Sequence, residues 1–105
     1  MSDPIMVTAV FTPAAGALAT LADAIAPFLG EVHSEQGCEL YALHRGEDGS
    51  LVMLEKWTTV ADLDAHAAGD IVARLDAAIE PLLAAPTVVT RLHAIPGGST
   101  NRGAL

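Results

Sequence analysis

Trp57, Glu55 and His66, with Cys38, Tyr41 and His44 upstream of them, are the side chains of this sequence best equipped for chemistry. The only Trp, the only Tyr, the only Cys and two of the four His fall between Gly37 and His66. A neutral imidazole accepts a proton near neutral pH. An indole N–H or a phenol O–H donates to an anionic oxygen. A carboxyl desolvated enough to keep its proton serves as acid or base. Together these groups suit proton abstraction from an electron-rich small molecule, with the resulting oxyanion held in a dry pocket. His66, His44 and Glu55 are therefore the catalytic candidates, and Trp57, Tyr41 and Met53 the candidates for substrate binding. Each has a plainer alternative, such as a strand-end Trp that only packs or a His that bonds a carbonyl. Cys38 reads as a small buried hydrophobe. His33 and His93 read as incidental, and no two His or Cys stand at metal-ligand spacing.

Local pattern indicates what must position these groups. The apolar run Ile5 to Phe11 predicts a strand buried on both faces. Thr12-Pro13 predicts a helix start, followed by Leu18, Leu21, Ile25, Phe28 and Val32 as one buried stripe. Pro27 within that stripe predicts a kink or break. Cys38 to Arg45 and Leu51 to Trp57 read as a hairpin around Asp48-Gly49, a strong tight-turn signal. With a loop of two or four residues, Cys38, Leu40, Ala42 and His44 share a face with Leu51, Met53, Glu55 and Trp57. Tyr41 then falls on the opposite face, which ranks it below Trp57. Thr59 and Asp62 resemble a capping box opening a short helix that carries Leu63 and His66 on one side. After Gly69, Ile71, Leu75, Ala78, Ile79 and Leu82 continue with helical spacing up to Pro86. Thr87 to Ile95 reads as the last strand. The order β-α-β-β-α-β predicts an α+β, ferredoxin-like fold with an antiparallel sheet.

Composition narrows the partners. With 105 residues, the chain is one domain, yet 51% of it is hydrophobic. So short a chain hides only about two-thirds of its unfolded surface. Neither hairpin face is uniformly polar, so a homodimer, in which a second sheet covers the exposed face, is the expected outlet. No run approaches a membrane span, and Met1-Ser2-Asp3-Pro4 lacks the basic start of a signal peptide. One cysteine suits a reducing, cytoplasmic setting. The net charge of −8, with Lys56 the single Lys, disfavours nucleic acid. Neutral, apolar small molecules fit better, although one Arg could still hold a carboxylate.

The string Glu35, Gly37, Cys38, Tyr41, Leu43 and His44, then Glu55 and Trp57, then Leu63 and His66, resembles the antibiotic biosynthesis monooxygenase family, including its small quinol monooxygenase members. The resemblance covers residues 4–96, leaving a polar tail over 97–105 that is either flexible or docked on a partner subunit. It implies a dimeric α/β barrel, with a pocket between helices and sheet. It also implies oxidation of an aromatic, quinol-like or polyketide-type substrate by O₂ without metal, flavin or haem. The haem-degrading relatives use an Asn in the first strand; Ile5 to Phe11 has none, so haem is not expected. Two other outcomes on such a scaffold are a non-redox isomerase using His66 or Glu55, and a small-ligand binding or stress-associated protein without catalysis.

Overall fold

Alternation along the first strand sets the layers. Ile5, Val7, Ala9 and Phe11 are buried, while Met6, Thr8 and Val10 are only half-buried. One face of the sheet lies under helices, and the other is open in the single chain, so the expected burial of this strand on both faces is not met. The computed structural model describes residues 3–105, so Met1 and Ser2, and the N-terminal reading that falls on them, lie outside the described residues. The elements are β1 (Ile5–Phe11), α1 (Leu18–His33), β2 (Cys38–Arg45), β3 (Leu51–Trp57), α2 (Val60–Ala67), α3 (Asp70–Ile79) and β4 (Val88–Leu92). A single 3₁₀ turn, Glu80–Leu82, follows α3. The sheet runs β2-β3-β1-β4 with every neighbour antiparallel. This is the ferredoxin-like α+β fold, with its second helical segment cut in two at Gly69.

The first helix starts later than Thr12-Pro13 suggested. Pro13 bridges Leu83 instead, Ala14 N donates to Leu82 O at 2.8 Å and Ala84 N to Thr12 O at 2.8 Å. The segment is thus spent as an extended tie to the 3₁₀ turn. Pro27 lies inside an unbroken α1. The carbonyl it deprives of a partner is that of Asp23, and both residues face water, which takes over the lost bond. Leu21, Ile25 and Val32 form the buried stripe as expected, with Phe28 at its edge.

The hairpin facing is a correction. Arg45 pairs with Leu51, so the loop has five residues, 46–50, rather than two or four. Asp48 Oδ1 accepts from Ser50 N at 3.0 Å and Ser50 Oγ at 2.6 Å, and Gly46 N donates to Ser50 O at 2.8 Å. An odd loop turns over every side chain of β2 relative to β3. Tyr41 therefore stands opposite Glu55, and His44 opposite Val52. A bulge at Glu39 absorbs one residue, and Cys38 again pairs with Trp57.

Thr59 caps α2 as foreseen, its Oγ1 accepting from Asp62 N at 3.0 Å. Leu63 and His66 are the buried residues of α2, and Leu75 and Ile79 those of α3. β4 stops at Leu92, short of Ile95: β1 begins at Ile5, and Pro4 before it has no N–H to extend the ladder. No helix among the described residues is long and apolar enough to cross a membrane.

Gly37 ties the loop after α1 to the start of α2. Its φ is +79°, and a Cβ there would overlap the Asp62 carboxyl. Its carbonyl accepts from Thr58 N at 2.8 Å. Gly37→Ala is expected to cost about 1–3 kcal/mol, combining a left-handed φ with steric overlap. Urea denaturation of both proteins measures it, and an unchanged midpoint would contradict this reading of the turn.

Candidate functional site

The sheet register lines up four side chains in one row across the covered face. Tyr41 on β2 pairs with Glu55 on β3, Glu55 with Val7 on β1, and Val7 with Arg91 on β4. Above this row α2 and α3 leave a cavity of about 240 Å³. Val7, Ala9 and Phe11 form its floor, Leu63 and Ala67 of α2 and Val72 and Leu75 of α3 its roof. Tyr41, Glu55 and His66 close the inner end, each 5% exposed or less. Asp76, Thr87, Val89 and Arg91 lie toward solvent.

His66 is held on every side. Its Nδ1 lies 2.9 Å from Glu35 Oε1, and its Nε2 lies 3.9 Å from Glu55 Oε1. The ring stacks on Trp57 with centroids 4.5 Å apart and planes inclined by 31°. Tyr41 meets it edge-on at 5.5 Å. Trp57 Nε1–H donates to Glu55 Oε1 at 3.0 Å. A carboxylate can only accept, so in the neutral ring the bond to Glu35 places the imidazole proton on Nδ1 and leaves Nε2 with a lone pair. The gap from Nε2 to Glu55 is too long for a hydrogen bond. That lone pair is therefore available to a ligand.

The neighbouring groups are tuned by burial. Burial pushes the Glu55 carboxyl up, while the Trp57 N–H and His66 pull it back and Glu35 adds to the rise. Burial, then the charges of Glu55 and Glu35, drive the Tyr41 phenol far above its ordinary range, so it remains an O–H donor. Asp76 is also raised by burial, with His66 opposing. The Cys38 thiol is raised by burial and by Glu35 and Glu55, the reverse of what activates a nucleophile. Among the described residues no group of three or more His, Cys, Asp or Glu is arranged to hold a metal ion.

The structure brings together His66, Glu55 and Tyr41, and separates the rest. His44 is on the open face, exposed, with Nδ1 3.1 Å from Ala42 O; the odd hairpin loop moved it there. Trp57 and Met53 are fully buried and do not line the cavity. Trp57 backs His66 and orients Glu55, so it acts on the site from behind rather than as its wall. Met53 is core beneath the helices. Glu35, Asp76 and Arg91 went unassigned in the sequence. Glu35 stood in the same short string as Gly37 and Cys38, whereas Arg91 and Asp76 gave no local signal.

The sequence model of the antibiotic biosynthesis monooxygenase family matches residues 4–82. The chain belongs to this family. The matched span ends at the 3₁₀ turn, and β4 completes the sheet beyond it. Among solved structures, Rv0793 of Mycobacterium tuberculosis superposes with a TM-score of 0.82 at 28% identity, over 92% of this chain and 100% of that one. PA3566 of Pseudomonas aeruginosa gives 0.79 at 26% identity, over 90% and 97%. SO0527 of Shewanella oneidensis gives 0.79 at 25%, over 89% and 92%. No curated protein matches the chain.

Folding holds the Glu55 value above the ordinary 4.5. Folding therefore favours its protonated form: that stability is fully present below pH 4.5 and is lost as pH rises through the folded value. Glu55→Gln keeps an acceptor for Trp57 and removes the titration. Its melting temperature relative to the parent protein is expected to climb between pH 4.5 and neutrality. A difference that stays flat over that interval would contradict the assignment.

Proposed function

We propose that this protein is a cofactor-independent monooxygenase that oxidises a small aromatic, quinol-like or polyketide-type compound with O₂. The observation that carries this reading is the His66 imidazole, with Nδ1 tied to Glu35 and Nε2 turned toward an apolar cavity. Direct reaction of a singlet phenol with triplet O₂ is spin-forbidden. A phenolate escapes this barrier by passing one electron to O₂, after which the radicals combine. The protein's task is to remove the phenolic proton and keep the anion dry. His66 Nε2 is the base, Glu35 stabilises the imidazolium that forms, and the Tyr41 O–H donates to the developing oxyanion. For a hydroquinone, quinol and O₂ then yield a hydroxyquinone and water.

A homodimer completes the assembly. The open sheet face carries Met6, Val10, Leu40, Leu54, Val88 and Leu92, an apolar surface on a chain of net charge −8. The same face of a second copy covers it and closes an α/β barrel, leaving each helix-side cavity accessible. The cytoplasm, with reduced Cys38, suits such an enzyme. Substituting Leu54→Asp is expected to convert the dimer to monomer in sedimentation velocity, and a parent protein that is monomeric at micromolar concentration would contradict the barrel.

A second reading has its own support: Glu55 beside His66 forms an acid–base pair suited to proton transfer without oxygen, as in an isomerase. Oxygen-electrode assays with hydroquinones and anthrones separate the two. The oxygenase reading predicts uptake that His66→Ala lowers by about 10²- to 10⁴-fold, with Glu35→Gln lowering kcat by about tenfold or more while KM changes little. Turnover without O₂ consumption would favour the isomerase. No turnover at all, with His66→Ala silent, would leave a binding protein.

A further inference from the structure

The cavity has two unlike ends. Its inner end is lined by Glu55 and His66, with Glu35 behind the His66 ring, and offers a ligand carboxylate no guanidinium or ammonium partner. Its outer end holds Arg91, the one guanidinium or ammonium group among the residues that line it. The sheet register fixes their separation: Arg91 and Glu55 flank Val7 on adjacent strands, so their Cα atoms stand about two strand spacings, or 10 Å, apart. Between them lie Val7, Leu63 and Leu75, an apolar stretch about the length of a substituted aromatic ring.

Arg91 is lightly engaged. Its Nη1 lies 2.8 Å from Asp64 Oδ1 on α2, and both side chains are substantially exposed, at 41% and 60%. Asp64 is its only carboxylate partner among the described residues. Arg74 is the contrast. It bonds Glu31 at 2.7 Å and Asp70 at 2.8 Å, and its guanidinium lies over the Phe28 ring. Arg74 is a staple between α1 and α3, held by two carboxylates at once. Arg91 has a planar fork of five donors facing one exposed acid. An exposed ion pair contributes little stability, so exchanging Asp64 for a ligand carboxylate is cheap. The exchange is favoured because a ligand seated in the cavity shields the new pair from water.

We propose that Arg91 is the specificity determinant of this cavity, and that its preferred ligands are aromatic compounds bearing a carboxylate at the end opposite the hydroxyl that meets His66. Arg91 attracts the carboxylate at the mouth and the buried inner end has no matching cation, so one orientation is favoured. The phenolic end goes in, and the carboxylate stays at the mouth. This rests on the cavity being the substrate site, but it makes a claim about recognition that the oxygen chemistry does not contain.

Homogentisate, a carboxylated hydroquinone, and its methyl ester are the probes, titrated calorimetrically without oxygen. The acid is expected to bind about three- to tenfold tighter than the ester. That preference should shrink with added salt, vanish in Arg91→Met, partly survive in Arg91→Lys, and grow in Asp64→Asn. Equal affinities, a preference that survives Arg91→Met, or no binding of the acid would each overturn the proposal. The two readings fail separately. Oxygen uptake on the ester equal to that on the acid sinks the role of Arg91 and leaves the oxygenase standing. Arg91-dependent binding of the acid, with no quinol drawing oxygen, does the reverse.

Discussion

One imidazole, bonded to the Glu35 carboxyl and stacked on Trp57, organises this molecule. His66 belongs to the eight-residue helix α2, too short to be stable by itself, and Glu35 belongs to the turn after α1. The 2.9 Å bond between them requires that the turn and the helix meet at a fixed distance. Gly37 and Thr58 provide this. The Gly37 carbonyl accepts the Thr58 N–H, and the absence of a side chain at Gly37 lets Asp62 approach. Thr59 then caps the helix. A backbone that only glycine adopts readily thus determines where a side chain two residues away places its charge.

The second constraint is parity. Because β-strand side chains alternate, a five-residue hairpin loop places Tyr41 in the cavity and sends His44 to the open face. The bulge at Glu39 repairs the register before the strand ends, which returns Cys38 to the partner of Trp57. Without the bulge the row Tyr41–Glu55–Val7–Arg91 would still form, but the strand end next to Trp57 would be displaced by one residue. The indole needs that support. It is fully buried, it stacks on His66, and its one N–H is spent on Glu55.

The architecture was legible in the sequence because it is written in periodicity. The strand positions, the Leu21–Ile25–Val32 stripe, the Thr59 cap and the Gly69 break all survive in the structure. Which side chains meet at the cavity was legible only in part. His66 and Glu55 were readable because a short helix and a strand each fix the direction of a side chain. His44 and Tyr41 were exchanged because Asp48-Gly49 marks a turn without fixing how many residues the loop spends. Scarcity marks Trp57 as a residue that matters without saying on which side of it the cavity lies. Asp76 and Arg91 depend on contacts between distant segments, which no local pattern encodes; Glu35 stood in the motif string, but its bond to His66 across 31 residues did not.

The proton position on His66 is the claim from which the chemistry follows. Long-range ¹⁵N–¹H correlation of its ring, recorded where the imidazole is neutral, reads that position directly. The account predicts a proton on Nδ1 and a bare Nε2 in the parent protein, with a mixture of tautomers in Glu35→Ala. A ring protonated on Nε2, or a Glu35→Ala spectrum that matches the parent, would contradict it.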